Sequence, residues 1–245
     1  MVTFDEVFAL AVELGYADYQ LPKEGGNLDA QYKQLSAAKH NLESYYASAS
    51  GLLQELRALG IPIPEWIQQV ALHPDRRAVP ILIRWLPRID DRRAKSEVVV
   101  LLGEKWAQPE GKQALLEEFE RIRPEDDPDP DSTRFRLVST LAALAKESDT
   151  DFFVRVASDP ANGSARLPAA EALGRWKRQR EKSVPVLMEL LLDDSDSVYW
   201  WAAQALGLLR EPSAEAPIQK RLDAEQDSYK RQKLKTALKR IQAAQ

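Results

Sequence analysis

Residues 169–174 read Ala-Ala-Glu-Ala-Leu-Gly, and residues 202–207, 33 positions later, read Ala-Ala-Gln-Ala-Leu-Gly. A hexapeptide returning almost unchanged at that distance marks an internal repeat, and a repeat decides a fold before any local propensity does. Working outward, Val98-Val99-Val100-Leu101-Leu102-Gly103 fits the same template. So does Leu141-Ala142-Ala143-Leu144-Ala145, with Ala145 at the glycine position. A last copy is Leu234-Lys235-Thr236-Ala237-Leu238-Lys239, with Lys239 there.

A second kind of segment alternates with these copies, at 113–119, 151–154, 184–192 and 216–222. In both kinds apolar residues recur at i, i+3, i+4 and i+7, the helical period. No sustained period-2 run bounded by turn residues occurs, so the chain reads as all helix. Thr3-Phe4-Asp5-Glu6 is a capping-box signal for a first helix. Pro185, preceded by Ser183, and Pro212, followed by Ser213, each sit near a helix start, where proline is tolerated. The run Pro124 to Asp131 reads as an acidic loop, and Asp193-Asp194-Ser195-Asp196 as a tight connection that caps the next helix. Each repeat is then a hairpin of an outer A helix and an inner B helix, and stacking such hairpins buries one continuous core.

The Asp-rich turn followed by Val198, Ala202, Ala203, Ala205, Leu206 and Gly207 resembles HEAT repeats, and more closely the short HEAT-like repeats named after phycobilisome lyases. The resemblance covers about residues 77–245, or five hairpins. It implies a right-handed α-solenoid whose B helices line the concave face. Residues 1–76 do not fit the repeat and are expected to form an N-terminal helical cap. Within them lie a short amphipathic helix from Phe4 to Leu14, a loop at 16–27 containing Gly25-Gly26, and a helical stretch from Leu28 to Leu59. That stretch is one helix, or two broken at Gly51, and Ile61-Pro62-Ile63-Pro64 stops it.

Composition narrows the function. The chain has 245 residues, no cysteine and 2 histidines, and 34 basic against 38 acidic residues give a net charge of −4. Zero cysteine excludes a disulfide scaffold, thiolate zinc, iron–sulfur ligation and a Cys nucleophile. His40 and His73 have no partner spacing, so neither metal nor cofactor is expected. No P-loop, nucleophile elbow or dinucleotide fingerprint is present. Deoxyhypusine hydroxylases, HEAT-like enzymes that bind iron through His-Glu pairs, are excluded because the chain has no His-Glu dipeptide. The aspartates 193, 194 and 196 lack the glycine and distal glutamate of a calcium loop. No apolar run reaches a membrane span, and acids stand where a secretory signal carries Lys or Arg, so a cytoplasmic protein is expected.

Charge is segregated. The B segments with their trailing residues carry +16, and the intervening segments from 106 onward carry −16. One reading is a basic concave groove for an acidic peptide or a nucleic-acid backbone, with Arg93, Arg134, Arg136, Arg166 and Lys230 near the helix starts. The other is dipole complementation, with cations such as Lys177, Arg210 and Arg240 at helix C-termini and acids at turns. Trp200 and Trp201 are adjacent and cannot both face the core. Either Tyr199, Trp200 and Gln204 face the groove as a binding hot spot, or Trp200 packs on the neighbouring B helix. Tyr199 stands where this repeat often has Arg. Trp85, Trp106 and Trp176 read as core and inter-repeat residues, and Trp66 as a junction residue.

The reading that follows is a non-enzymatic scaffold or adaptor gripping a protein or peptide, which includes an immunity-type protein that blocks another bacterial protein. The alternative is a nucleic-acid-binding protein resembling alkylpurine DNA glycosylases, compact HEAT-like solenoids that set concave aromatics and a carboxylate on a damaged base. Glu171 is the nearest carboxylate for that role.

Overall fold

The computed structural model describes residues 2–14, 27–63, 66–127, 132–193 and 198–243. Residues 16–26 of the expected 16–27 loop, with Gly25-Gly26, as well as Pro64, the aspartates 129 and 131, and residues 194–196, lie outside those, and Asn27 is the N-cap of the helix that follows. Among the described residues there are helices and turns and no strand.

Two helices precede the repeats: α1 (Phe4–Glu13) and α2 (Leu28–Ala58). The capping box at α1 forms: the Thr3 N–H donates to Glu6 Oε2 at 2.8 Å, and the Glu6 N–H to Thr3 Oγ1 at 3.4 Å. Helix α2 runs unbroken through Gly51. Five hairpins then follow. Their A helices are α3 (Val79–Trp85), α5 (Glu110–Arg121), α7 (Thr150–Ser158), α9 (Arg180–Leu192) and α11 (Glu215–Ala224). Their B helices are α4 (Arg92–Leu102), α6 (Thr133–Leu144), α8 (Arg166–Leu173), α10 (Val198–Leu209) and α12 (Ser228–Gln242). Each B helix packs on the next, α4 on α6, α6 on α8, α8 on α10 and α10 on α12, so the row is continuous. This is an all-α solenoid.

Acidic and hydroxyl side chains start three B helices. Asp91 accepts from the Ala94 N–H, Ser132 from Phe135 and Asp227 from Lys230. Helix α9 starts earlier than its proline suggests. It opens at Arg180, behind a 3-10 turn at Lys177–Gln179, so Pro185 sits inside it. Pro185 lacks the N–H that an interior helical position donates, and its ring crowds the carbonyl one turn earlier, so α9 carries one bond fewer there.

Glycine sets the B-row spacing. A Cβ at Gly174 would lie 2.7 Å from Ala205 Cα, and one at Gly207 2.8 Å from Ala237 Cα. Backbone meets backbone there, and alanines on the facing helix keep the approach close. Each glycine faces the residue two positions before the next marker: Ala205 before Gly207, Ala237 before Lys239. Gly103 faces Thr140, so the marker in the second hairpin is Ala142, not Ala145. The Leu-Ala step occurs twice in that helix, and packing selects the first.

One apolar core runs from Tyr45 in α2 to Ile241 in α12. The C-terminal half of α2 belongs to it through Leu52, Leu53 and Leu56. Helix α1 does not. Its Val7, Leu10 and Ala11 form a separate small cluster with Leu35 at the other end of α2. At the junction the Tyr45 hydroxyl donates to Glu97 Oε2 at 2.7 Å and accepts the Ile67 N–H at 2.9 Å. Burial, with the Glu97 carboxylate alongside, pushes the Tyr45 phenol above its ordinary range. Trp66 is a junction residue, its ring 4.9 Å from that of Tyr45.

Candidate functional site

The B-helix starts show what the arginines do. Lys95, Arg134, Arg166, Tyr199 and Arg231 each stand eight residues before their hairpin's marker residue. Arg134 is 7% exposed; its guanidinium donates to the carbonyls of Phe119, at 2.8 Å, and Ile122, and to Asn162 Oδ1. It also lies 3.9 Å over the Phe119 ring. Burial lowers its pKa from the ordinary arginine value. Arg166 is equally buried, donating to Ala157 O at 3.1 Å and to Asp193 Oδ2 at 2.7 Å. Arg231 reaches Leu222 O at 2.8 Å and Glu225 O at 2.6 Å. In these three hairpins the guanidinium therefore caps the orphan carbonyls that end its own A helix.

Tyr199 breaks the series, and its neighbour compensates. Arg221 of α11 lies 5.1 Å from the centre of the Tyr199 ring and donates to Leu191 O at 3.0 Å and Asp193 O at 3.1 Å. The carbonyls ending α9 thus receive a guanidinium from the following hairpin. The Tyr199 hydroxyl bonds to Glu225, and the residue is 8% exposed. In the first hairpin Lys95 instead bridges to Glu118 of α5, Nζ to Oε1 at 2.9 Å. Burial opposes ionisation of Glu118, but bonds from Arg121 and Lys95 outweigh it and hold the carboxyl below its usual range.

Two openings lie on the B row. The first, about 320 Å³, spans α8, α10 and α12 and is lined by Glu171, Trp200, Trp201, Gln204, Leu208 and Tyr229, among others. Trp200 is 9% exposed, because Trp201 and Tyr229 cover it, with ring centres at 5.0 and 5.7 Å. It is a wall of the opening, packed on the neighbouring B helix. Tyr229 and Leu208 are exposed at its mouth, 58% and 39%. Lys233 lies 4.9 Å over the Tyr229 ring. Glu171 pairs with Arg175 at 2.8 Å.

The second, about 400 Å³, lies between the starts of α4 and α6 and holds Arg92, Arg93 and Arg136. Arg93 is steadied 4.4 Å over the Trp66 ring and 3.5 Å from Glu97. Of the residues that sequence marks for binding, the structure thus leaves Arg93, Arg136, Gln204 and Lys230 accessible. Arg134, Arg166, Tyr199 and Trp200 are largely covered. Sequence reading missed Tyr229 and Leu208; for Tyr229 an aromatic residue at the start of a basic helix was a usable signal.

Comparison with known proteins bears on the same segment. Residues 150–239 match the family model for HEAT repeats. That segment is similar to a run of HEAT repeats. It takes in the last three hairpins, from α7 into α12, and hence the aromatic opening and both forms of the carbonyl cap. No curated protein matches the chain. HEAT repeats generally serve protein–protein interaction, through the extended surface that stacked hairpins present. Among the described residues no helix is long and apolar enough to cross a membrane, and no three His, Cys, Asp or Glu side chains cluster as metal ligands.

Proposed function

We propose that this chain is a non-enzymatic interaction scaffold that grips a protein partner on the concave face formed by its B helices. Residues 1–76 act as its N-terminal cap and residues 77–245 as its solenoid. The observation that carries the reading is the aromatic opening on α10 and α12. There Leu208 and Tyr229 stand exposed over a packed tryptophan floor, with Gln204 offering amide bonds beside them. A rigid aromatic base with an apolar mouth is what an interface hot spot needs. Gln204, Arg93, Arg136 and Lys230 are the contact residues of this proposal, with Leu208 and Tyr229 added. Arg134, Arg166, Tyr199 and Trp200 support the surface from beneath.

The test is affinity capture with the wild-type chain, Leu208→Glu and, as a control on an apolar residue outside the B helices, Leu72→Ser. Leu72 is 73% exposed. A partner retained by wild type and Leu72→Ser but lost with Leu208→Glu supports the scaffold. Equal capture by all three refutes it. One observation favours a second reading, a nucleic-acid enzyme: Glu171 lines the same opening as the two tryptophans. Anisotropy with labelled duplex DNA across a salt series decides it. Binding that falls steeply with salt supports that reading, and no binding at low salt ends it.

A further inference from the structure

The opening between α4 and α6 is chemically unlike the aromatic one. Arg92, Arg93 and Arg136 surround it, Ser96 and Thr133 add hydroxyls, and Phe135 gives it one apolar wall. Arg136 is exposed, and its guanidinium makes no hydrogen bond or ion pair among the described residues. Among the described residues, the carboxylates of Asp127 and Glu97 are already engaged. Asp127 accepts from Ser132 Oγ and from the N–H groups of Thr133 and Arg134, at 2.7 to 2.9 Å. Glu97 accepts from the Tyr45 hydroxyl at 2.7 Å and the Gln68 N–H at 3.2 Å. The start of α6 is therefore capped from within, and the cations facing the cavity are guanidinium side chains, of which Arg93 also pairs with Glu97 at 3.5 Å.

We propose that this cavity binds the phosphoryl group of a phosphorylated side chain on the protein partner. The inference rests on the scaffold reading and gives that partner its chemistry. A phosphomonoester carries close to two negative charges and three acceptor oxygens, and planar guanidinium groups meet it with paired bonds. Three guanidinium groups line one opening, and that of Arg136 is uncommitted among the described residues, which suits a dianion with several acceptor oxygens. The volume, about 400 Å³, leaves room for the ester's carbon stem against Phe135. A nucleic-acid backbone fits less well, since it needs phosphate contacts repeated along the strand. The next opening along the row is aromatic and contains Glu171.

The experiment is a nitrogen-15 NMR titration of the full chain at constant ionic strength. Four probes are used: inorganic phosphate, a phosphoserine pentapeptide with alanine flanks, its unphosphorylated form, and a short DNA duplex. Saturable shifts at the amides of Ser96, Thr133 and Arg136 are expected with phosphate, with Kd in the roughly millimolar range. The phosphopeptide is expected to bind about tenfold tighter than its unphosphorylated form. Arg136→Glu, at an exposed position, should keep its helicity and lose both responses. Leu208→Glu should keep them, so partner capture and phosphate binding fail independently. No saturable shift at those amides, equal binding of the two peptides, or an unchanged response in folded Arg136→Glu overturns the proposal. So does DNA binding tighter than the phosphopeptide with the same Arg136 dependence.

Discussion

Arg134 and Arg136 are two residues apart on one helix, and the structure gives them opposite work. Replacing each in turn by alanine separates a buried clip from a surface cation. In Arg134→Ala, the Phe119 and Ile122 carbonyls and the Asn162 amide oxygen lose their donor inside the protein. Each stranded buried acceptor costs roughly 1–3 kcal/mol. The sum is reduced because the guanidinium itself is expensive to bury, and its Nε has no partner to lose. The net expected loss is about 3–4 kcal/mol, near the low end for breaking a buried charged network. For a chain of this size that is a fall in Tm of about 10 °C. Arg136→Ala removes no bond and should stay within about 0.5 kcal/mol of wild type. Repeat arrays need not unfold in one step, so hydrogen exchange in α5 and α6 should accompany the thermal melts. Protection should drop there in Arg134→Ala alone. Equal melting temperatures for the two variants would refute the carbonyl-cap argument.

The borrowed cap predicts a specific rescue. Arg221→Ala should cost about 2 kcal/mol, and Tyr199→Arg in that background should restore more than half, since arginine at that position caps its own A helix elsewhere; purely additive effects in denaturant titrations would count against it. Gly174→Ala should lose about 1–3 kcal/mol by overpacking against the α10 backbone, and an unchanged urea midpoint would show that the row yields easily. Glu118 has a depressed folded pKa, so its contribution is complete above the unfolded carboxyl pKa of about 4.3 and is lost as pH falls through the lower folded value. The stability gap between wild type and Glu118→Gln should accordingly shrink between neutral pH and about pH 3, and a constant gap would rule that linkage out.

Sequence periodicity carried most of the fold. The B-helix hexapeptides, the Thr3–Glu6 box and the count of five hairpins are local signals, and local signals survive reading without coordinates. What did not show is where long side chains end. Arg134 and Arg166 look like groove cations because their acceptors are backbone carbonyls, which leave no trace in a sequence. The register was readable in part: a cation stands eight residues before the Gly position in three hairpins, a pattern no dipole argument requires, and Arg134 joins it only once packing places the second marker at Ala142. Trp200 was undecided because its cover, Tyr229, comes from another helix. The opening between α4 and α6 was half legible, through Arg93 and Arg136 but not through the hydroxyls beside them.

The replacement of the clip at Tyr199 bears on how such an array can be rearranged. The second, third and fifth hairpins each carry the arginine that closes their own A helix, so each brings that closure with it when transplanted. The fourth cannot, because its closure arrives from α11. The last two hairpins therefore form a single exchangeable module. A chimera or truncation made between them leaves an unfinished helix end on one side and an idle arginine on the other, whereas a cut before α9 keeps every arginine–carbonyl closure and severs side-chain pairs such as Arg166–Asp193 and Lys182–Asp151.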